Sequence, residues 1–392
     1  MAAGPVGTAA MKATESPVPV YPTWAHFWRL LGWGARWQEW FPFNTRSGTW
    51  TFSGRVALYH GLPSLKLPEG STILVPAYHQ GVEIDTLLAA GYRVRHYRVT
   101  DRLLVDLEDV ASRLDRTVSA LYVIHYFGFA QPLAGIQRFC EAHSLRLIED
   151  CALSLFSRDN GTWLGSVGDL ALFSVYKTLP LPNGGFLVTK HAHPNVRLRP
   201  APSQSTLVQG LDLLHRGLQT SGWIQMETQL ARASRWVARM LHWNRARTVT
   251  SGGACWDPRL LEYGTSAWSV GLLRFMDPQE VVARRRRNFA HLASRLRGHL
   301  CLPFPDLAPG VCPLFFPAMV PDKPRFQREL DRLGVQSVNL WNTSHPTCPP
   351  DLAEEVSGWR RHCLELPIHQ ELGTEDIDRV AEAVLSVLSR QQ

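Results

Sequence analysis

The stretch "FSVYKTLPLPNGG" (173–185) carries a lysine, Lys177, directly after an apolar run and just before two prolines and a glycine pair. Lysine is scarce in this chain. Of 41 lysines and arginines, only Lys12, Lys66, Lys177, Lys190 and Lys323 are lysines. A primary amine shielded from water loses proton affinity and becomes a usable nucleophile. It can also form an imine, which a guanidinium cannot. A second apolar run, "LRLIED", ends in Glu149 and Asp150, the latter 27 residues before Lys177. An acid and a lysine at the carboxyl ends of two strands would converge on one cleft. Such a pair could join a carbonyl cofactor through an imine and hold the protonated nitrogen of a pyridinium ring, the electron sink of pyridoxal phosphate. On spacing alone the plainer readings stand beside this one: an acid that caps a turn, and a lysine that faces solvent.

Other chemistries lack their motifs. There is no GxxxxGK[ST] phosphate loop, no strand-linked GxGxxG, no HExxH and no GxSxG elbow. His191 and His193 have no partners at metal-ligand spacing, so no metal is expected. The chain has 392 residues, 45% hydrophobic and 19% charged, with a net charge of +7. That suits a folded protein with a large core. The run Arg284–Arg287 reads as a solvated helix face, an anionic small substrate accounts for the mild basic excess, and no nucleic-acid partner is expected. Seven cysteines without a CxxC pair read as reduced thiols. With no signal peptide and no membrane-length apolar run, a soluble cytoplasmic protein is expected.

The elements that must position Asp150 and Lys177 alternate. Strands are expected at 71–78, 92–99, 118–128, 145–150, 169–175 and 184–189. Helices are expected between them, at 81–91, 106–114 (capped by Asp106) and 132–144. This implies a mostly parallel sheet covered on both faces, with ligands bound beyond the carboxyl ends of its strands. A smaller α+β unit follows, with a long helix at 277–298, a strand near 313–319, and helices at 324–333 and 374–389. The expected division is a disordered tail at 1–20, a large α/β domain at 21–260 and a small C-terminal α+β domain at 261–392. Near the N-terminus, Trp24, Phe27, Trp28, Leu31 and Trp37 form an aromatic helical stripe, expected to pack on the body or on a second subunit. The region 196–260 is the least legible.

The segments "HYFGFAQPLAGIQRFCEAHSLRLIEDCALSLFS" and "GSVGDLALFSVYKTLPLPNGGFLVT" resemble the DegT/DnrJ/StrS-type aminotransferases, as do "LGVQSVNLW" and "LELPIHQELGTEDIDRVAEAV". The resemblance covers roughly 50–190 and 265–390. It implies a fold-type-I pyridoxal-phosphate enzyme that moves an amino group from an amino acid, expected to be glutamate, to a keto-sugar. It makes Lys177 the Schiff-base lysine, Asp150 the partner of the pyridine nitrogen and Ser174 a phosphate contact. "SGRVALY" (53–59) becomes the phosphate turn, with the N–H groups of Gly54, Arg55 and Val56 on the anion. A homodimer is also implied.

The chain departs from the family pattern at several points. Arg55 stands where threonine is usual in the phosphate turn. Leu153 stands where a Gln or His would meet the ring hydroxyl, leaving neighbouring Ser154 as a partial substitute. The lysine loop is shorter and continues with Thr178. The ring expected to stack on the cofactor is Tyr78 or His79, with His79 preferred. Dehydrating relatives carry a His in place of the lysine, which Lys177 argues against. The departures keep a cofactor-binding regulatory or scaffolding homologue with little turnover in view.

Overall fold

The computed structural model describes residues 37–190, 196–220 and 256–390. The expected tail at 1–20, most of the aromatic stripe (Trp24, Phe27, Trp28 and Leu31), His191, His193 and residues 221–255 lie outside the described residues.

The centre is a seven-stranded sheet. In chain order its strands are β1 (Thr49–Thr51), β2 (Thr72–Pro76), β3 (Arg93–Tyr97), β4 (Val118–Ile124), β5 (Arg146–Asp150), β6 (Leu170–Ser174) and β7 (Gly185–Thr189). They lie side by side as β1-β7-β6-β5-β4-β2-β3. The five strands from β3 to β6 run parallel, while β7 is antiparallel to both β6 and β1. Strands β2, β6 and β7 are buried throughout, which is why they read as continuous apolar runs rather than alternating ones. β3 is one edge of the sheet, β1 being the other, and it carries exposed Arg93, a charge that discourages pairing with a further strand.

Helices α1 (Gly54–Gly61), α2 (Val82–Ala89), α3 (Leu107–Ser112) and α4 (Leu133–Ala142) precede or join these strands. Asp106 caps α3 as expected, its carboxylate accepting from the Glu108 and Asp109 N–H groups. The short helix α5 (Val175–Thr178) leaves β6 and carries Lys177. Gly184, at φ +149°, and Gly185 then turn the chain into β7. A Cβ on Gly185 would come within 2.2 Å of the Ser53 carbonyl carbon, so β7 can lie directly against the start of α1 only with glycine there. Helix α6 (Ser203–Thr220) is the described part of the less legible region.

The C-terminal part builds a second cluster. α7 (Pro278–Leu296), β8 (Phe316–Met319), α8 (Lys323–Arg332), β9 (Cys363–Leu366) and α9 (Thr374–Ser389) bury Phe289, Leu292, Phe316, Phe326, Ile377 and Val384 together. β8 and β9 pair antiparallel. Trp37 does pack on the body. Together with Trp40, Phe41 and Phe43 it joins an aromatic cluster with Trp50, Phe156, Trp163 and Phe186.

Candidate active site

Helix α1 begins at the sheet's carboxyl edge. Ser53 is its N-cap in extended conformation, and the first ladder bond is Ala57 N–H to the Ser53 carbonyl at 3.0 Å. The N–H groups of Gly54, Arg55 and Val56 therefore precede the ladder. Together with the helix dipole they make the end of α1 suitable for an anion. Gly54 lets the Ser174 hydroxyl come close, because a Cβ there would lie 2.5 Å from Ser174 Oγ and force that hydroxyl to turn away. The Ser53 hydroxyl is buried with no hydrogen-bond partner among the described residues.

Asp150 ends β5 and Ser174 ends the adjacent β6, with Asp150 in register with Leu172. Lys177 follows one turn later. One cleft of about 770 Å³, its open mouth included, is lined by Ser53, Gly54, Arg55, Asp150, Ser174 and Lys177. Five of the sequence-predicted residues thus converge. Val56 is fully buried beneath the α1 N-terminus and His79 lies behind the pocket wall; neither lines the cleft.

The charges inside are mutually tuned. Burial lowers the Lys177 ammonium pKa; Asp150 and Glu83 oppose that shift, and the Arg55 guanidinium adds to it. Burial raises the Asp150 carboxyl, against the pull of Tyr122 and the Ala152 N–H. Tyr122 donates to Asp150 Oδ2 at 2.6 Å, and Ala152 N–H to Oδ1 at 2.8 Å.

Sequence reasoning missed Glu83. It lies in the first turn of α2, lines the cleft and accepts the Gln80 and Gly81 N–H groups at 2.8 and 3.1 Å. Burial first, and the nearby Asp150 second, push its carboxyl up to about 7. Within "GVEIDTLLAAG" it reads as an ordinary first-turn acid. Nothing in that pattern shows that β4 and β5 bring Asp150 beside it. Trp341 and Leu340, from a distant segment, close the cleft opposite and were equally invisible. Leu153 does line the cleft, while Ser154 does not.

The arginine run is only in part a solvated face: Arg287 is exposed and Arg284 and Arg286 are half-buried, but Arg285 turns inward. Arg285 is fully buried and donates to the Gln370 side chain (2.8 Å) and to the carbonyls of Leu314 (2.9 Å) and Thr178 (3.0 Å). Arg284 and Arg286 donate to the carbonyls of Gln370, Ala308 and Val311. Helical rotation turns Arg285 inward, where loop carbonyls replace water around its charge. Gln370 also donates to the Thr178 carbonyl at 3.2 Å, so the residue after Lys177 is clamped to the C-terminal part twice.

A mostly parallel sheet with one antiparallel strand, an acid and a lysine at its carboxyl edge and a helix N-terminus beside them define the fold-type-I class. Residues 44–203 match the model of the DegT/DnrJ/EryC1/StrS aminotransferase family, and over that stretch the resemblance read from the sequence holds. The chain is 28% identical over 149 residues to GDP-perosamine synthase of Vibrio cholerae, covering 37% of this chain and 41% of that one. It is 32% identical over 136 residues to dTDP-4-dehydro-2,3,6-trideoxy-D-glucose 4-aminotransferase of Saccharopolyspora spinosa, covering 34% and 35%. The match thus spans about two fifths of the length of these curated relatives. Among solved structures, the aminotransferase TlmJ of Streptoalloteichus hindustanus superposes with a TM-score of 0.64 at 19% identity, over 97% of this chain and all of the other. The GDP-4-keto-6-deoxy-D-mannose-3-dehydratase of E. coli, solved with hydrated PLP, gives 0.63 at 15% identity over 94% and 99%. Among the described residues, no helix is long and apolar enough to cross a membrane.

Proposed function

We propose that this chain is a pyridoxal-phosphate-dependent aminotransferase that moves an amino group from an amino acid, glutamate in the simplest case, to a keto-sugar. The observation that carries this reading is the meeting of Lys177, Asp150, Ser174 and the α1 N-terminus in one cleft. The donor set fits the cofactor: the α1 N–H groups, Ser174 and the buried, unpartnered Ser53 hydroxyl suit its phosphate, and Asp150 suits its ring nitrogen. When bound, the cofactor supplies an electrophilic carbonyl carbon and an electron-withdrawing ring.

The remaining chemistry falls to the chain's own residues. The Lys177 amine, its proton affinity lowered by burial, would carry a proton away from the donor's alpha carbon in the first half of the cycle and deliver one to the acceptor's carbon in the second. Asp150, oriented by Tyr122 and the Ala152 N–H, would accept the ring N–H hydrogen bond of the cofactor. Arg55 at the mouth favours an anionic substrate or phosphate. Leu340 and Trp341 line the same cleft as the amine and add apolar surface to it.

Borohydride reduction of the purified chain followed by peptide mapping tests the reading. A label on Lys177, with conversion of the bound cofactor to its amine form by glutamate, is the expected result. A label elsewhere, or no chromophore, overturns it. The dehydratase among the structural neighbours makes a sugar-nucleotide dehydration the alternative on this scaffold, and Lys177 favours transfer. Leu153 in the cleft wall, where a hydrogen-bonding side chain would meet the ring hydroxyl, favours a second reading: a cofactor-binding homologue with little turnover. A labelled Lys177 with no donor half-reaction would select it. A homodimer and a cytoplasmic setting belong to the first reading; light scattering of the purified chain tests the dimer.

A further inference from the structure

Behind the pocket wall lies a second group of reactive side chains. His79, in the loop after β2, His96 on β3 and Cys348 on the segment after Trp341 are all buried, and their ligand atoms lie within 4.8 Å of one another. Neither ring nitrogen of His79 has a hydrogen-bond partner among the described residues, although the residue is fully buried. An imidazole buried with both nitrogens unsatisfied is costly and asks for a ligand. The other buried histidine group, His125, Glu149 and Cys151, differs in this respect. There His125 bonds Glu149 and the Gln131 N–H, and Glu149 accepts three backbone N–H groups.

We propose that His79, His96 and Cys348 form a binding site for one zinc-class divalent cation, which ties the pocket wall to the C-terminal segment. Two imidazoles and a thiolate select a borderline-soft metal, zinc foremost, over magnesium or calcium. His345 lies close by, but both of its ring nitrogens are already engaged, Nδ1 also accepting the Thr347 N–H at 3.2 Å. Its ring centre is 6.4 Å from that of His79, its Nε2 bonds Asp85 Oδ1 at 3.1 Å, and its Nδ1 faces Thr347 Oγ1 at 2.8 Å. A water would fill the fourth position of the ion's shell. A tetrahedral ion about 2.0–2.3 Å from each ligand atom would draw the three groups about 1 Å closer together.

The surroundings already join the two segments that the ion would tie. The Arg360 guanidinium donates to the carbonyls of Ala77 and His79 on one side and of Trp341 and Thr343 on the other. Arg360 and Arg113 are cations close enough to act on this group, so the ion would bind beside positive charge. Gln80 and Glu83 of the cleft follow His79 directly, and Leu340 and Trp341 of the cleft precede the segment that carries Cys348. The ion would therefore fix two cleft walls relative to each other without entering the cleft. The site makes no use of the cofactor reading.

The test is zinc content and zinc-edge X-ray absorption of the full chain, dialysed against zinc and then buffer. One zinc per chain with one sulfur at about 2.3 Å and at least two imidazole nitrogens at about 2.0 Å is expected. Cys348→Ser should lose the sulfur shell and at least tenfold in zinc affinity, while Cys301→Ser, at the exposed thiol, and Cys151→Ser should keep both. If Cys348→Ser does not fold, His96→Gln replaces it, with loss of one nitrogen as the readout. Wild type with no retained zinc, or with an all-oxygen shell, overturns the proposal. So does a sulfur shell that survives Cys348→Ser.

Discussion

Glu149 and Asp150 end the same strand, both are buried, and they have opposite fates. Strand alternation turns them to opposite faces of the sheet. Glu149 accepts the N–H groups of Gly165, Val167 and Gly168 and faces His125 at 3.0 Å. These bonds and the histidine outweigh burial and hold its carboxyl below the usual 4.5. Asp150 has one backbone N–H and one phenol, and burial holds it above the usual 3.8. Burial alone therefore does not decide a carboxylate's role; the number of donors that replace its water does. Glu149 is spent on structure, pinning the 165–168 loop. Asp150 keeps acceptor capacity facing Lys177.

The largest effect should come from Asp150→Asn. Donor half-reaction rates should fall by about 10²–10⁴-fold, while urea unfolding at neutral pH shows unchanged or higher stability. The sign follows from linkage. A carboxyl raised in the folded state contributes stability at low pH that is lost as pH rises past its unfolded value, and the amide removes that loss. Turnover that survives the substitution would break the contrast between the two acids.

Glu149→Gln should do the reverse, costing about 2–4 kcal/mol of unfolding free energy, since an amide replaces a charged acceptor of three N–H groups. Activity per folded molecule should hold. Because its folded pKa is depressed, Glu149 contributes stability above about 4.5 that is lost as pH falls below it. The variant should show a flatter acid limb in urea titrations between about pH 3 and 5.

Glu83→Gln sharpens the comparison from the other wall of the cleft. With its carboxyl raised to about 7, wild-type stability should decline as pH rises from 4.5 toward 7, and the variant should lack that slope. An inflection near pH 7 in the half-reaction rate should disappear with it. If the inflection persists, Glu83 only caps α2. Tyr122→Phe should have the smallest effect, removing one 2.6 Å bond to Asp150. The expected loss is about 1–2 kcal/mol in transition-state terms, up to roughly thirtyfold in rate.

Much of this was legible beforehand. The strands and helices from 71 to 189 fall within a few residues of their expected places, because parallel strands are apolar throughout and helix ends carry caps such as Asp106. The meeting of Asp150 with Lys177 was legible because both end strands. Arg285 was misread because a run of four arginines hides which one rotates inward. The resemblance offered Tyr78 or His79 as the stacking ring, yet neither lines the cleft; Gln80 of that loop and Glu83 of α2 do.

The sequence alone placed Lys177 and Asp150 at the ends of two apolar strands, offered an imine-forming amine there beside plainer readings, and determined that the sheet would be mostly parallel. These depend on residue type and on periods of two and 3.6, which neighbours in sequence carry. Only the tertiary structure decided that Glu83 shares the cleft, that Arg285 clamps the lysine loop, and that His79, His96 and Cys348 meet. Those outcomes rest on contacts between residues up to 269 positions apart, from His79 to Cys348. The energy of a buried polar group depends on what surrounds it in space, which no local window of sequence contains.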